Sequence, residues 1–237
     1  MDWSKRSTQS EIMDDFQGDI QSPKKVHEDI NRANQMMGGN SATVKAVAML
    51  ISKYPQEEFV FADMGCGDGA MLRILAEFCR KEQLKATFIG IDLSEKSLLL
   101  AKEASKAYPE ISYVEADILH LNPADFKVDI IVSTLTMHHF TDKEITSFLQ
   151  KFAELAGIGI VINDLHRSAL SYYLFKGFSR IFIKTKVARH DGALSIRRAF
   201  VKSDLVGYSK QLPSMVHTIR WKWAFRYVWV MQLDRLR

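Results

Sequence analysis

Asp63-Met64-Gly65-Cys66-Gly67-Asp68-Gly69 gathers the residue types that hold a nucleotide-like ligand: carboxylates interleaved with three glycines at alternate positions. Glycine turns tightly and lets the backbone approach a ligand with no Cβ in the way. The apolar run Phe59-Val60-Phe61-Ala62 precedes the loop, and the helix-forming stretch Ala70 to Ala76 follows it. The pattern predicts a strand, a glycine turn and a helix whose free N–H groups face the ligand.

Gly65-x-Gly67-x-x-Ala70 also satisfies the dinucleotide fingerprint, so the glycines alone leave the ligand open. Asp63 stands two residues before the first glycine. A carboxylate there is badly placed for a pyrophosphate and well placed near the ammonium group of a methionine moiety, directly or through water. Asp92 ends the next apolar run, Thr87 to Ile91, where a carboxylate accepts both ribose hydroxyls. Dinucleotide-binding sheets share that feature. Asp117 falls at the end of a third strand pattern, Ile111 to Ile118, where an acid can accept from an adenine exocyclic amine. Three such tips at this spacing point to S-adenosylmethionine.

The series Asp63-x-Gly65-x-Gly67-x-Gly69, Gly90-Ile91-Asp92-Leu93-Ser94, Glu115-Ala116-Asp117-Ile118 and Asp129-Ile130-Ile131-Val132-Ser133 resembles the class I S-adenosylmethionine-dependent methyltransferases, over roughly residues 45 to 165. The resemblance implies an α/β fold: a doubly wound, seven-stranded, mostly parallel sheet with an antiparallel last strand, N-terminal helices and a helical lid after the fifth strand. It implies a cofactor set of Arg32, Asp63, Gly65, Cys66, Gly67, Asp92, Leu93, Asp117, Ile118, Ser133 and Thr134. In that set Arg32 meets the methionine carboxylate. A Rossmann dehydrogenase and a catalytically dead relative are the competing readings.

Methyl transfer from a sulfonium is a direct displacement, helped chiefly by holding the partners in line. A hydroxyl acceptor also needs a base. His138 and His139 follow the fourth strand at its C-terminal tip, where an open α/β sheet places its site. Met137-His138-His139-Phe140 resembles the corresponding segment of small-molecule methyltransferases of the quinone-biosynthesis group, in which one histidine usually supports the loop. Each histidine therefore stands both as base and as loop support. Asp164 and His166, at the tip of the fifth strand, form a second base with its orienting partner, or Asn163 and Asp164 cap the following helix. Adjacent histidines on a tight turn do not readily share a metal, and no carboxylate set is evident beside them, so no metal is expected. His190-Asp191-Gly192 with Arg197 and Arg198 is a further polar cluster: an anion site for the acceptor, or a surface turn.

These residues need a scaffold of 237 residues in one domain: an N-terminal helical cover (1–55), a cofactor core (56–165), a lid insert (166–205) and closing strands (206–237). Helices are predicted over 8–17, over Pro23 to Met37 with Val26, Ile30, Ala33 and Met37 in helical phase, and from a Ser41 cap to about Ser52. Ser94 and Thr141 or Asp142 cap later helices. An aromatic helix runs from Ser168 to about Lys186, and a shorter one is capped by Ser203. Met215 to Leu233 reads as a hairpin, with Trp221, Trp223, Phe225, Tyr227 and Trp229 alternating as core and edge packing.

Two cysteines without C-x-x-C spacing argue against a disulfide or zinc framework and for free thiols in the cytoplasm. The start is polar, and no apolar run is long enough to span a bilayer. The net charge of +4 conceals an asymmetry: residues 1–166 carry −8 and residues 167–237 carry +12. A cationic surface of that kind aids solubility or meets anionic lipid, an acidic substrate or RNA. Ser133-Thr134-Leu135-Thr136 lacks the Asn/Asp-Pro-Pro-aromatic motif of nucleic-acid amine methylation. The expectation is a methyltransferase of a small, lipophilic acceptor, with O-methylation of a phenolic or polyketide-like compound implied by a narrower resemblance to bacterial polyketide and phenolic-lipid methyltransferases. Peripheral contact with an anionic membrane goes with it. Methylation of tRNA or protein, and a non-catalytic cofactor-binding subunit, are the alternatives.

Overall fold

The structure, a computed structural model, describes residues 2–13, 21–122 and 126–233. Two helices, α1 (Gln21–Met36) and α2 (Gly39–Lys53), lead into strand β1 (Glu58–Met64). The chain then alternates α3 (Ala70–Lys81), β2 (Lys85–Asp92), α4 (Glu95–Ala104), β3 (Ile111–Glu115), β4 (Val128–Thr134), a 3₁₀ turn (Met137–His139), α5 (Asp142–Leu155) and β5 (Ala156–Leu165). Three helices, α6 (Ala169–Phe182), α7 (Lys186–Arg198) and α8 (Lys202–Ser209), precede the hairpin β6 (Met215–Lys222) and β7 (Arg226–Leu233).

The seven strands form one sheet in the order β3-β2-β1-β4-β5-β7-β6. β1 to β5 are parallel; β7 enters between β5 and β6 and runs antiparallel to both. Side chains alternate across a strand. Phe59 and Phe61 on β1, Ile130 and Val132 on β4, and Val228 and Val230 on β7 pack toward α2 and α3. Ala62, Met64, Ile131, Tyr227, Trp229 and Met231 pack on the other face with Phe148 and Phe152 of α5 and Leu205 of α8. Burying both faces explains the almost unbroken apolar runs of the central strands.

Several helix ends differ from the sequence expectation. Residues 8–13 form no helix, and residues 14–17 of that expectation lie outside the described residues. α2 starts at Gly39, after Gly38 at φ 70°, and the Ser41 hydroxyl donates to Gly38 O instead of capping. β3 stops at Glu115, short of Asp117. The expected helix from Ser168 to Lys186 ends at Phe182, because Thr185 caps a new helix by accepting from Ala188 N, while Asp29 of α1 accepts from the Lys184 and Thr185 N–H groups. His190-Asp191-Gly192 therefore lies within α7. α8 begins at Lys202, with Asp204 accepting from Val201 N, and Ser203 is not its cap. In the hairpin, Trp229 is buried, but Trp221 and Trp223 are exposed beside the turn. No helix among the described residues is long and apolar enough to cross a membrane.

Candidate active site

A cleft of about 630 Å³ opens at the C-terminal ends of β1, β2 and β4. Its floor is the loop from Gly65 to Gly69. Gly65 adopts φ 77°, and a Cβ there would collide with Thr136, so only glycine fits both its conformation and its space. Gly65 N and Cys66 N donate to Ile91 O at 2.8 and 3.0 Å, tying the loop to β2. The Asp92 carboxylate accepts from Gly67 N and from Ser94 N, each at 2.8 Å. These bonds fix Asp92 at the mouth of the cleft with carboxylate lone pairs left for a ligand.

Asp63 is the polar group at the cleft's inner end. Its Oδ1 is buried and has no hydrogen-bond partner. Burial, reinforced by the neighbouring Asp92 and Asp68 carboxylates, pushes its pKa up to about 8. A buried carboxylate without a partner is costly. An ammonium group placed against it would remove that cost, so the residues present fit a ligand with a cationic end. Cys66, Leu93, Asp117, Ile118 and Thr134 also line the cleft. Asp117 is held below the usual carboxylate range despite burial, because it accepts from Leu119 N and His120. Burial, with Asp63 and Asp92 nearby, raises the Cys66 thiol well above its ordinary pKa, so it remains protonated.

Two residues of the expected cofactor set lie elsewhere. Ser133 is buried under the loop, its hydroxyl donating to Met64 O at 3.0 Å. Arg32 is half-exposed and pairs with Asp29 at 3.7 Å. The face of α1 toward the cleft is His27, Ile30, Asn31 and Asn34. Arg32 points roughly 140° away from that face, at about 100° per helical residue. Asn31, which donates to Asp68 at 2.8 Å, occupies the position sought for Arg32.

A second, mostly apolar cavity of about 430 Å³ adjoins the cleft. It is lined by Ala33 of α1 and Met37 just after it, Phe175 and Phe178 of α6, Ile196 of α7 and Phe225 of the hairpin turn. The two cavities share Glu11, Ile30, Asn34, Leu135, His139 and Asp191. His139 thus stands where a group in the cleft would meet a group in the apolar cavity.

His138, beside it, is buried. Its Nδ1 lies 2.7 Å from Asp164 Oδ1, and Asp164 Oδ2 accepts from His138 N at 3.1 Å. Its Nε2 faces Glu11 Oε1 at 3.5 Å. Burial alone would lower the pKa of this imidazole; the Asp164 and Glu11 carboxylates outweigh burial and raise it to about 9. Asp164 is correspondingly held low. Glu11, also held low by the histidines, accepts from Ser195 Oγ at 2.8 Å and comes within 3.9 Å of His139 Nε2. Glu11 supplies the carboxylate that the sequence did not show beside the histidines, and Glu11, His138 and His139 present ligand-type atoms within 4.8 Å of one another. A charged imidazole between two carboxylates accounts for this cluster without a metal.

Asp164 therefore partners His138 and not His166. His166 lines neither cavity; its Nδ1 accepts from Trp221 Nε1 at 3.3 Å, and burial together with Arg167 lowers its pKa. Arg198 is not an anion site: it donates to the carbonyls of His138, His139 and Gln9. Arg197 reaches Gln9 Oε1 at 3.2 Å. Asp191 accepts from Ile12 N and Met13 N. With Arg6 donating to the Arg198, His138 and Phe140 carbonyls, these residues strap the extended N-terminal segment across the strand tips and deliver Glu11.

Residues 61–157 match the family described as methyltransferase domain. A candidate 23S rRNA (guanine-N(1)-)-methyltransferase of Bacillus subtilis is 32% identical over 99 residues, 41% of this chain and 34% of that protein. The ubiquinone/menaquinone biosynthesis C-methyltransferase UbiE of Campylobacter jejuni is 26% identical over 144 residues, 58% of this chain and 59% of that protein. The chain thus spans between a third and three-fifths of the length of these curated relatives. Among solved structures, the plantazolicin methyltransferase BpumL in complex with SAH superposes with a TM-score of 0.70 at 15% identity, covering 92% of both chains. Residues 61–157 are a methyltransferase domain, and the fold that carries them is that of the class I S-adenosylmethionine-dependent methyltransferases.

Proposed function

We propose that this domain moves the methyl group of S-adenosylmethionine to a small, largely apolar acceptor held beneath α6, and that the acceptor atom is a phenolic hydroxyl of a polyketide-like compound. The observation that carries the reading is the meeting of the polar cleft and the apolar cavity at His139. S-adenosylmethionine supplies an electrophilic methyl on a sulfonium sulfur.

Asp63 would hold the cofactor's ammonium, Asp92 its ribose hydroxyls, and Leu93 and Ile118 the faces of its base. A phenol has a pKa near 10 and is mostly protonated at neutral pH. His139 would take that proton as the acceptor oxygen is methylated, and Glu11 would stabilise the resulting imidazolium. His138, fixed by Asp164, positions the turn that carries His139. A small core of Val26, Ala33, Ile183 and Ala188 holds α1 against the α6–α7 segment beside the apolar cavity.

Incubation with methyl-labelled S-adenosylmethionine and a cell extract tests this. Label in the organic-solvent phase supports a lipophilic acceptor, and mass spectrometry then names it. Label in RNA or protein sinks the reading and makes the basic C-terminal third the substrate surface.

A further inference from the structure

The outer side of α6 carries an unpartnered apolar stripe. Leu170, Tyr173, Leu174 and Ile181 are 61, 63, 50 and 77% exposed, and Gly177 between them has nothing near it. At about 100° per residue, Lys176 and Arg180 lie roughly 80–120° round one side of that stripe, and Phe175 and Phe178 roughly 80–140° round the other. The first side borders a recess of about 400 Å³ between α6 and α7, lined by Tyr172, Lys176, Arg180, Arg189, His190 and Arg197 among others, with no acidic residue among the described residues. The second side borders the apolar cavity, whose rim includes the exposed Met36, Leu174 and Trp223.

Residues 166–203 contain nine Lys/Arg and one acid, Asp191, which is buried and bonded to the N-terminal segment. The exposed charge that this segment places around the stripe is therefore of one sign. An apolar helix face edged by cations, with tryptophan at its border, is the composition of a helix lying in a bilayer interface. A continuous exposed apolar face in such a setting marks a contact surface.

We propose that this face docks on an anionic phospholipid bilayer. The headgroup phosphate seats in the recess between α6 and α7, the α6 stripe enters the acyl boundary, and the acceptor passes from the bilayer into the apolar cavity past Met36, Leu174 and Trp223. The entry route rests on the acceptor reading above; the docking does not.

Co-sedimentation of the full chain with phosphatidylcholine vesicles, with and without phosphatidylglycerol, tests the docking with no turnover involved. The protein should pellet with the anionic vesicles only, and release as salt rises. Each neutralised cation should weaken binding roughly fivefold, so Lys176→Gln with Arg180→Gln should lose roughly twentyfold. Ile181→Asp should lose roughly tenfold or more. All three side chains are exposed, so unchanged melting of the variants shows that the fold survives. No binding to either vesicle, equal binding to both, or unchanged binding by the variants overturns the proposal, as does RNA captured on this face while vesicles are ignored. A protein that binds vesicles yet labels no lipophilic compound sinks the acceptor reading alone. Labelling of such a compound without vesicle binding sinks the docking alone.

Discussion

His138 Nδ1 lies 2.7 Å from Asp164 Oδ1, joining the turn after β4 to the end of β5 inside the protein. Breaking a buried pair by removing one partner leaves an uncompensated charge and costs about 3–5 kcal/mol. Asp164→Asn should lower the unfolding free energy measured by urea denaturation by that much, and a variant as stable as the parent would show that the pair contributes nothing.

The same pair predicts a pH dependence. The folded pKa of His138, about 9, lies above the unfolded value near 6.5. The stabilisation is thus fully present below about pH 6.5 and is lost as pH rises through about 9. Urea melts across that window should show the decline in the parent and a flattened profile in Asp164→Asn.

Asp63 makes stability fall with pH in the same direction, from a different cause. It is an acid whose folded pKa, about 8, exceeds its unfolded value near 3.9, so keeping it ionised costs the ligand-free protein stability as pH rises through that range. A cationic group bound beside it favours the ionised form. Cofactor binding below about pH 8 should therefore release a proton, and affinity should climb with pH and level off above that point. Calorimetry in buffers of different ionisation enthalpy measures the proton directly; none released would mean that Asp63 does not meet a cation. Asp63→Asn should abolish the release.

Much of the cofactor cleft was legible because its signals are local. Alternate glycines, apolar runs ending in Asp63 and Asp92, and the Ser94 and Thr141 caps all lie within a few residues of what they determine. Helix phase was equally local, and the spacing of His27, Asn31 and Asn34 already sets Arg32 off the cleft face. Glu11 was not legible. It belongs to an irregular segment, and its partners His138 and Ser195 are far along the chain. Arg198 read as an anion site or part of a surface turn for the same reason. The backbone carbonyls of Gln9, His138 and His139 that it meets are brought near only by the fold.

Asp92→Ala removes the carboxylate that orders Gly67 and Ser94 and would accept the ribose hydroxyls. Hydrogen bonds to a charged group contribute about 1.5–3 kcal/mol each, so cofactor affinity should fall roughly tenfold to a hundredfold or more. Unchanged affinity by calorimetry would reject the placement of the cofactor in this cleft.

The histidines can be separated by one experiment. His139 alone of the three candidates lines both cavities, His138 lies behind it, and His166 is turned toward Trp221. A general base contributes roughly a hundredfold to ten-thousandfold. His139→Gln should therefore cut kcat by that order while cofactor affinity and melting stay near the parent values. His166→Gln should leave kcat within about twofold, a surface change outside both cavities. Glu11→Gln should cut kcat less than His139→Gln and shift the acid limb of the pH–rate profile, since it acts on the acceptor only through the imidazole. Equal turnover in parent and His139→Gln would remove the base from the mechanism and leave orientation as the source of rate. That result would favour an acceptor atom that needs no deprotonation.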